Sequence, residues 1–375
     1  MSGRAIAAGA SIGLVASVLI LPLVGGKGRA RPDPSWGPVL SDCGGPLREL
    51  VIQYVSGAAP VVGRAYRQFL SQLPGDVAVH VVCPDRAALD EFRRRVGGVA
   101  CRIHPIVVGH AISPWARDRW LAASPAGAGR PIVLFRPRGE NGAERWPARA
   151  GDERVADDVA AALPGRVVAR RSQLFFDGGD FVVDETTAFV APAVAARNLH
   201  HTVADAEELT RALEEMLTRK VVLLAEAPPH HAGMYMMPVG DGRMMIGDPR
   251  LALEAMGEAP LPTDAMPCGA DFGEETQRLF DAVAEQCLRE GYEVIRIPIV
   301  PGRDGRTYIT YLNVILDQRQ GERIVYMPVY RGAEPLNAAA AGLWRGAGYA
   351  VRTVDCTSSY RHFGSLRCLI NVLRR

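Results

Sequence analysis

The sequence predicts a mixed α/β fold made of five copies of one unit, and three recurring features carry that expectation. A segment of helical periodicity followed by an apolar strand occurs five times. Hairpin-like runs lie between copies, and in four of the five a glycine stands just before the strand, where a helix C-terminus favours it. Such units describe ββαβ-like blades around an axis, a five-bladed α/β propeller filling residues 48–375 as a single domain. An ordinary α/β sheet divided between two domains is the other arrangement these elements allow.

In chain order, Leu50–Val55 is a short β-branched strand that opens the fold. The five helix–strand copies follow at Ala65–Val82, Val155–Ala169, Leu209–Leu224, Leu279–Ile299 and Ala338–Val354. The hairpin runs are 181–192, 234–249 and 314–328, the middle one carrying Asp241-Gly242, a type I′ turn signal. Two polar segments, Arg136–Asp152 and Glu258–Thr276, are too long for simple connections and read as rim or lid loops.

Ahead of the domain, Ala5–Val24 is uncharged and mostly apolar, long enough to span a bilayer but interrupted by Gly, Ser and Pro22. Residues 1–30 therefore read as a signal peptide or membrane anchor, and 31–47, rich in Gly and Pro, as a linker. Export or membrane anchoring is the expectation. Lys27, Arg29 and Arg31 follow the apolar segment, so a body on the cytoplasmic face is the alternative.

A net charge of +2 leaves no electrostatic footprint for nucleic acid. Seven cysteines without zinc-type spacing imply no metal site, and no motif calls for a cofactor. A homo-oligomer is compatible with the sequence without being specified by it.

Four stretches carry candidate chemistry. His362–Arg375 (HFGSLRCLINVLRR) runs from a small-residue turn into an apolar segment holding Cys368, with Arg367 beside it; nearby positive charge favours the reactive thiolate. A cysteine in an apolar run is also a common core residue. Trp115-Ala116-Arg117-Asp118 puts a carboxylate beside an aromatic wall, which suits a planar guanidinium but equally a structural Arg–Asp pair. Phe176-Asp177-Gly178-Gly179-Asp180 sets two acids around a turn; a charge leaving a buried strand there needs a partner. His230-His231 precedes a strand, where neighbours point to opposite faces, so one imidazole suits acid–base work better than the pair suits a metal. His200-His201 has the same limit.

Taken together and in this order, these residues resemble the guanidine-modifying (pentein) superfamily of five-bladed propellers, in its agmatine deiminase and bacterial peptidylarginine deiminase branch. Trp115–Asp118 resembles its W-x-R-D motif, Asp177-Gly178-Gly179 its acid-Gly-Gly motif, and Gly364–Cys368 its terminal nucleophile motif. The resemblance implies a deiminase acting on free or peptidyl guanidino compounds. Cys368, His231 and Asp118 would be catalytic, and Asp177, Trp115 and Asp180 would bind substrate. The sequence departs from the pattern at Gly233, where the family's His-x-Asp motif has its second carboxylate. Asp180 or Asp241 would then have to compensate; otherwise the chain is a non-catalytic guanidinium- or peptide-binding relative. Transfer of the amidino group to an amine is a further alternative. Phe363, beside Gly364, puts a large ring where the family often has a glycine run.

Overall fold

Each recurring unit of the sequence forms a sheet of its own. The computed structural model describes residues 35–139, 149–260, 266 and 268–375. The apolar segment 5–24 lies outside them, as do parts of both polar insertions. Among the described residues no helix is long and apolar enough to cross a membrane.

The first sheet contains β1 (Glu49–Gln53), β2 (Ala78–Cys83) and β3 (Arg102–Val107), linked through α1 (Ala59–Ser71) and α2 (Arg86–Val96). The second holds β4 (Leu121–Ala123), β5 (Ile132–Arg136), α3 (Val155–Ala162) and β6 (Val167–Arg171). The third holds β7 (Phe181–Val183), β8 (Thr187–Val190), α4 (Pro192–Asn198), α5 (Ala206–Leu217) and β9 (Lys220–Leu223). In the fourth, the short α6 (Ala232–Tyr235) leads into β10 (Met236–Gly240) and β11 (Arg243–Asp248). There α7 (Pro249–Met256) and α8 (Glu274–Arg289) precede β12 (Glu293–Pro301) and β13 (Tyr308–Thr310). The fifth holds β14 (Ile315–Arg319), β15 (Glu322–Val329), α9 (Glu334–Gly346) and β16 (Ala350–Asp355). The C-terminal strand β17 (Ile370–Arg374) returns to pair antiparallel with β1 and completes the first sheet.

Every sheet combines antiparallel pairing with at least one parallel pair joined through a helix, as parallel neighbours require a crossover; the first has two such parallel pairs, β1–β2 and β2–β3. The five expected helix–strand copies correspond to α1–β2, α3–β6, α5–β9, α8–β12 and α9–β16. Glycines 165, 291 and 348 take positive φ before their strands, and Thr218 does the same work in the third copy at φ +52°. Asp241 and Gly242 both have φ above +50°, as a type I′ hairpin demands.

Two elements depart from the sequence reading. β3 carries Pro105 and exposes most of its side chains, so it has no apolar alternation to announce it. Residues 36–47, expected as part of a linker, are packed against the body. Val39 bridges to Ala123, Cys43 and Leu47 are fully buried, and the Trp36 indole N–H donates to the Met216 carbonyl. Composition marked the glycines and prolines there but could not show the apolar anchors between them closing onto distant strands.

β17 ties the fold to the candidate chemistry. The Asn371 side chain, fully buried, donates to the carbonyls of Ala116 (3.2 Å) and Trp120 (3.0 Å), holding the turn that carries Asp118. Asn371→Ala strips both carbonyls of that donor, and we expect a loss of about 2–4 kcal/mol in urea unfolding. A loss below about 0.5 kcal/mol would mean the strand does not hold that turn.

Candidate active site

The site assembles around His231. Its Nδ1 lies 3.7 Å from Asp118 Oδ1, and its Nε2 lies 3.8 Å from Asp177 Oδ2 and 3.9 Å from Asp180 Oδ1. The Cys368 side chain adds to the interactions that favour the charged form of the same imidazole. Four of the other five residues expected for the site thus approach this one ring. The fifth, Trp115, packs its ring against Gly364, in the loop that leads to Cys368.

Local chemistry explains each approach. Asp118 sits in a tight turn, Ala116–Arg119, whose three polar residues are all buried. Buried Asp152 organises that turn: it accepts from the Ser113 amide (2.7 Å) and hydroxyl (2.6 Å) and pairs with Arg119 (3.1 Å). Asp177 opens a second turn as a capping box with Asp180. The Gly-Gly pair between them is required by space. A Cβ on Gly178 would stand 2.2 Å from the Arg117 carbonyl, and one on Gly179 would stand 2.3 Å from His231 Nδ1. A Cβ on Gly364 would meet the Trp115 ring at 2.3 Å.

His230 is the structural half of the doublet. It holds φ +88°, its Nδ1 accepts from the His231 amide (2.8 Å), and Nε2 therefore donates to the Phe363 carbonyl (2.9 Å). Burial, with His231's charge behind it, pushes His230 down to about 3, so it stays neutral and fixes the histidine loop to the loop at Phe363. Phe363 contributes its carbonyl here. Asn313, also buried, completes the link: its Nδ2 donates to the Gly233 carbonyl (3.0 Å) and its Oδ1 accepts from the Cys368 amide (3.2 Å). His200 and His201 are exposed and stand apart from these contacts.

Several functional neighbours escaped the sequence reading. Arg197 donates to Asp177 Oδ2 at 2.9 Å and to Asp180. Arg149 reaches Asp177 Oδ1 (3.4 Å) and Asp118 Oδ2 (3.6 Å). Beside Cys368, Arg367 donates to both Asp42 oxygens at 2.9 Å and to the Phe181 carbonyl at 2.8 Å, with Arg117 3.8 Å from the same Asp42. Burial and then the Arg367 charge bring Arg117 down to about 9, while these two cations outweigh burial and hold Asp42 low. The local signals among these residues were Arg367, next to the cysteine, and Arg117, inside the Trp115–Asp118 motif.

Burial alone would discharge His231, but its interactions with Asp118, Asp177, Cys368 and Asp180 outweigh it and raise its pKa well above 6.5. Burial likewise lifts Asp118, against the pull of His231's charge and with Asp177's charge adding to the rise. Asp177 goes the other way: burial is outweighed by His231, Arg197 and Arg149, and it stays ionised. One carboxylate held high and another held low beside a single charged imidazole is an arrangement that suits acid–base work.

No family model and no curated protein match this sequence. Solved structures do match it. The substrate-bound agmatine deiminase of C. jejuni superposes with a TM-score of 0.66 at 13% identity, over 89% of this chain and 95% of that one. The agmatine deiminase of Enterococcus faecalis gives 0.64 at 13% identity, over 90% and 95%. This is the agmatine deiminase fold. At such identity the likeness is one of fold, and the chemistry has to come from the residues.

Within the agmatine deiminase fold, Gly233 has a physical explanation. A Cβ at 233 would stand 2.4 Å from Arg367 Nη1, so the space a side chain would enter is filled by a guanidinium pinned to Asp42. Of the two carboxylates expected to compensate, Asp180 is in place. Asp241 is not: it is exposed at the β10–β11 turn and pairs with Arg323 and Arg243.

Two outcomes follow from this geometry. Gly233→Asp should cost about 2–4 kcal/mol, since it dislodges Arg367 from charge-assisted bonds. Adding Arg367→Ala, which leaves Asp42 to Arg117, should recover at least about 1 kcal/mol in a double-mutant cycle. Because His231's pKa is raised on folding, its proton contributes stability that is complete below 6.5 and lost as pH rises through the folded value. Wild type should therefore lose stability relative to His231→Gln as pH climbs above 6.5; parallel urea-midpoint curves would contradict the charged imidazole.

Proposed function

We propose that this chain is a thiolate-dependent hydrolase of guanidino compounds, releasing ammonia and leaving a ureido product. The observation that carries this reading is the convergence of Cys368, Asp118, Asp177 and Asp180 on the one imidazole of His231, from four separate stretches of chain. We also read the five sheets as blades set around a common axis, with these stretches meeting between them.

A guanidinium is a poor electrophile, so covalent catalysis divides its displacement into two easier steps. Asp118 and Asp177 take N–H donors of the substrate fork, as carboxylates do for planar guanidinium. The Cys368 thiolate attacks the central carbon, and His231 gives its proton to the departing nitrogen as the C–N bond breaks. Ammonia leaves, and the amidino carbon remains bonded to sulfur. His231, now neutral, takes a proton from water as its oxygen attacks that carbon; the C–S bond breaks and returns the thiolate.

A second reading, a guanidinium-binding relative without turnover, is favoured by one observation: the position that would hold another clamp carboxylate is closed by Arg367. Ammonia release and ureido-product formation across agmatine, arginine and arginine-containing peptides separate the two. Hydrolysis that falls at least about 10³-fold in Cys368→Ala is the expected result. Tight binding without ammonia release from any compound would establish the second reading, and amidino transfer to an added amine would move the chain to that chemistry instead.

A further inference from the structure

Among the described residues, six other than glycine hold a positive φ. Thr218 ends α5, Asp241 and Gln320 turn hairpins, and His200 lies in the turn after α4. The remaining two, His230 (φ +88°) and Phe363 (φ +68°), are hydrogen-bonded to each other across 133 residues of sequence. Phe363 ends the single helical turn Tyr360–His362, a place that glycine usually takes. His230 ends no helix and turns no hairpin, so the reason for its backbone has to be sought in what its side chain reaches.

That side chain holds His231 and a distant loop at once. Nδ1 accepts from the His231 amide (2.8 Å), and Nε2 donates to the Phe363 carbonyl (2.9 Å). The ring stands edge-on to the His231 ring, with centroids 4.6 Å apart at 83°, and Tyr308 backs it at 6.3 Å. His231 has weaker holds of its own. Its Nδ1 is buried without a hydrogen-bond partner, and the carboxylates of Asp118, Asp177 and Asp180 stand 3.7–3.9 Å from its ring nitrogens, beyond ordinary hydrogen-bond length. Its backbone is tied on both sides instead. Before it, His230 reaches Phe363; after it, Asn313 links the Gly233 carbonyl (3.0 Å) to the Cys368 amide (3.2 Å). His231 leads through α6 into β10 of the fourth sheet, whereas Phe363 precedes β17 of the first, so the His230 bond joins segments of two sheets.

We propose that His230 is a positioning residue, whose hydrogen bond to the Phe363 carbonyl keeps the His231 ring among Asp118, Asp177, Asp180 and Cys368. This inference rests on the hydrolase reading for its effect on turnover, not for the placement of the ring. A neutral imidazole suits the task because it accepts at one nitrogen and donates at the other, so one side chain serves both loops. Burial and then the His231 charge bring His230 down to about 3, so it keeps this pattern while His231 titrates. Without the clasp, His231 moves off its acids, and proton delivery to the departing nitrogen loses its geometry.

The test uses the full chain and two substitutions that separate the bonds. His230→Asn tolerates a left-handed backbone and keeps an acceptor near the His231 amide, but is too short for Phe363; His230→Gln has the reach to donate to that carbonyl. With agmatine and an arginine-containing peptide as substrates, His230→Asn should lose about tenfold or more in kcat with KM changed less than about threefold, and His230→Gln should recover most of the loss. The titration of the His231 ring, followed by NMR and assigned through His231→Gln, should move down towards 6.5 by about one pH unit or more in His230→Asn and hold its place in His230→Gln. Phe363→Gly keeps the carbonyl and suits φ +68°, so it too should leave that titration in place. An unmoved His231 titration in His230→Asn, or an equal fall in His230→Gln, would overturn the inference. A wild type without turnover of any guanidino compound would overturn the hydrolase reading, and the titration would still decide the clasp.

Discussion

Burying charge around one imidazole is the constraint on which the rest of this structure depends. Asp42, Asp118, Asp152, Asp177 and Asp180 lie in or under the site, and each is matched by an arginine: 367, 119 together with 149, 119, and 197 for the last two. An unpaired carboxylate at this depth would cost several kcal/mol, so the set has to be satisfied as a whole. That requirement explains why the site draws on so many distant segments. Two functional acids cannot be buried together without cations, and the cations need carbonyls and further acids of their own.

The chain meets this by letting its two ends close the fold. Asp42, near the start of the described body, and Arg367, near the C-terminus, form a bidentate pair across 325 residues of sequence. β17 then pairs with β1, and Asn371 reaches back to the Asp118 turn. Cys368 therefore sits at the seam where the last strand joins the first, and its position depends on the whole circuit having formed. Geometry set by such a seam is rigid, which suits a site whose groups must approach within a few tenths of an ångström of productive positions.

Periodicity made the repeating architecture legible, because each unit declares itself locally through a 3.6-residue pattern, a turn residue and an apolar strand. Where a unit used Thr218 in place of glycine, the helix and strand still announced it. β3 was hidden because its exposed, proline-bearing sequence follows no such pattern, and 36–47 because turn-rich composition says nothing about where its few apolar residues land. The same division holds in the site. Asp118, Asp177, Asp180 and Cys368 stand in short motifs whose glycines record close approaches: Gly179 for His231, Gly364 for Trp115. Arg149, Arg197 and Asp42 carry no local mark, since what defines them is a partner tens or hundreds of residues away.

Gly233 shows how a departure read from one position acquires meaning from another. From sequence it is a missing carboxylate, a loss of charge-assisted bonds and a reason to doubt catalysis. In the structure it is half of a pair, because the volume and charge that a side chain there would bring are supplied by Arg367 and answered by Asp42. A negative group is absent there, and a positive one occupies its space. In the proposed reaction, such an exchange removes one hold on the guanidinium nitrogens. Clamp bonds of that kind stabilise bound substrate and transition state alike, so their loss weakens binding more than it slows the chemical step. On that proposal, the site is suited to guanidino compounds whose remaining parts supply binding of their own.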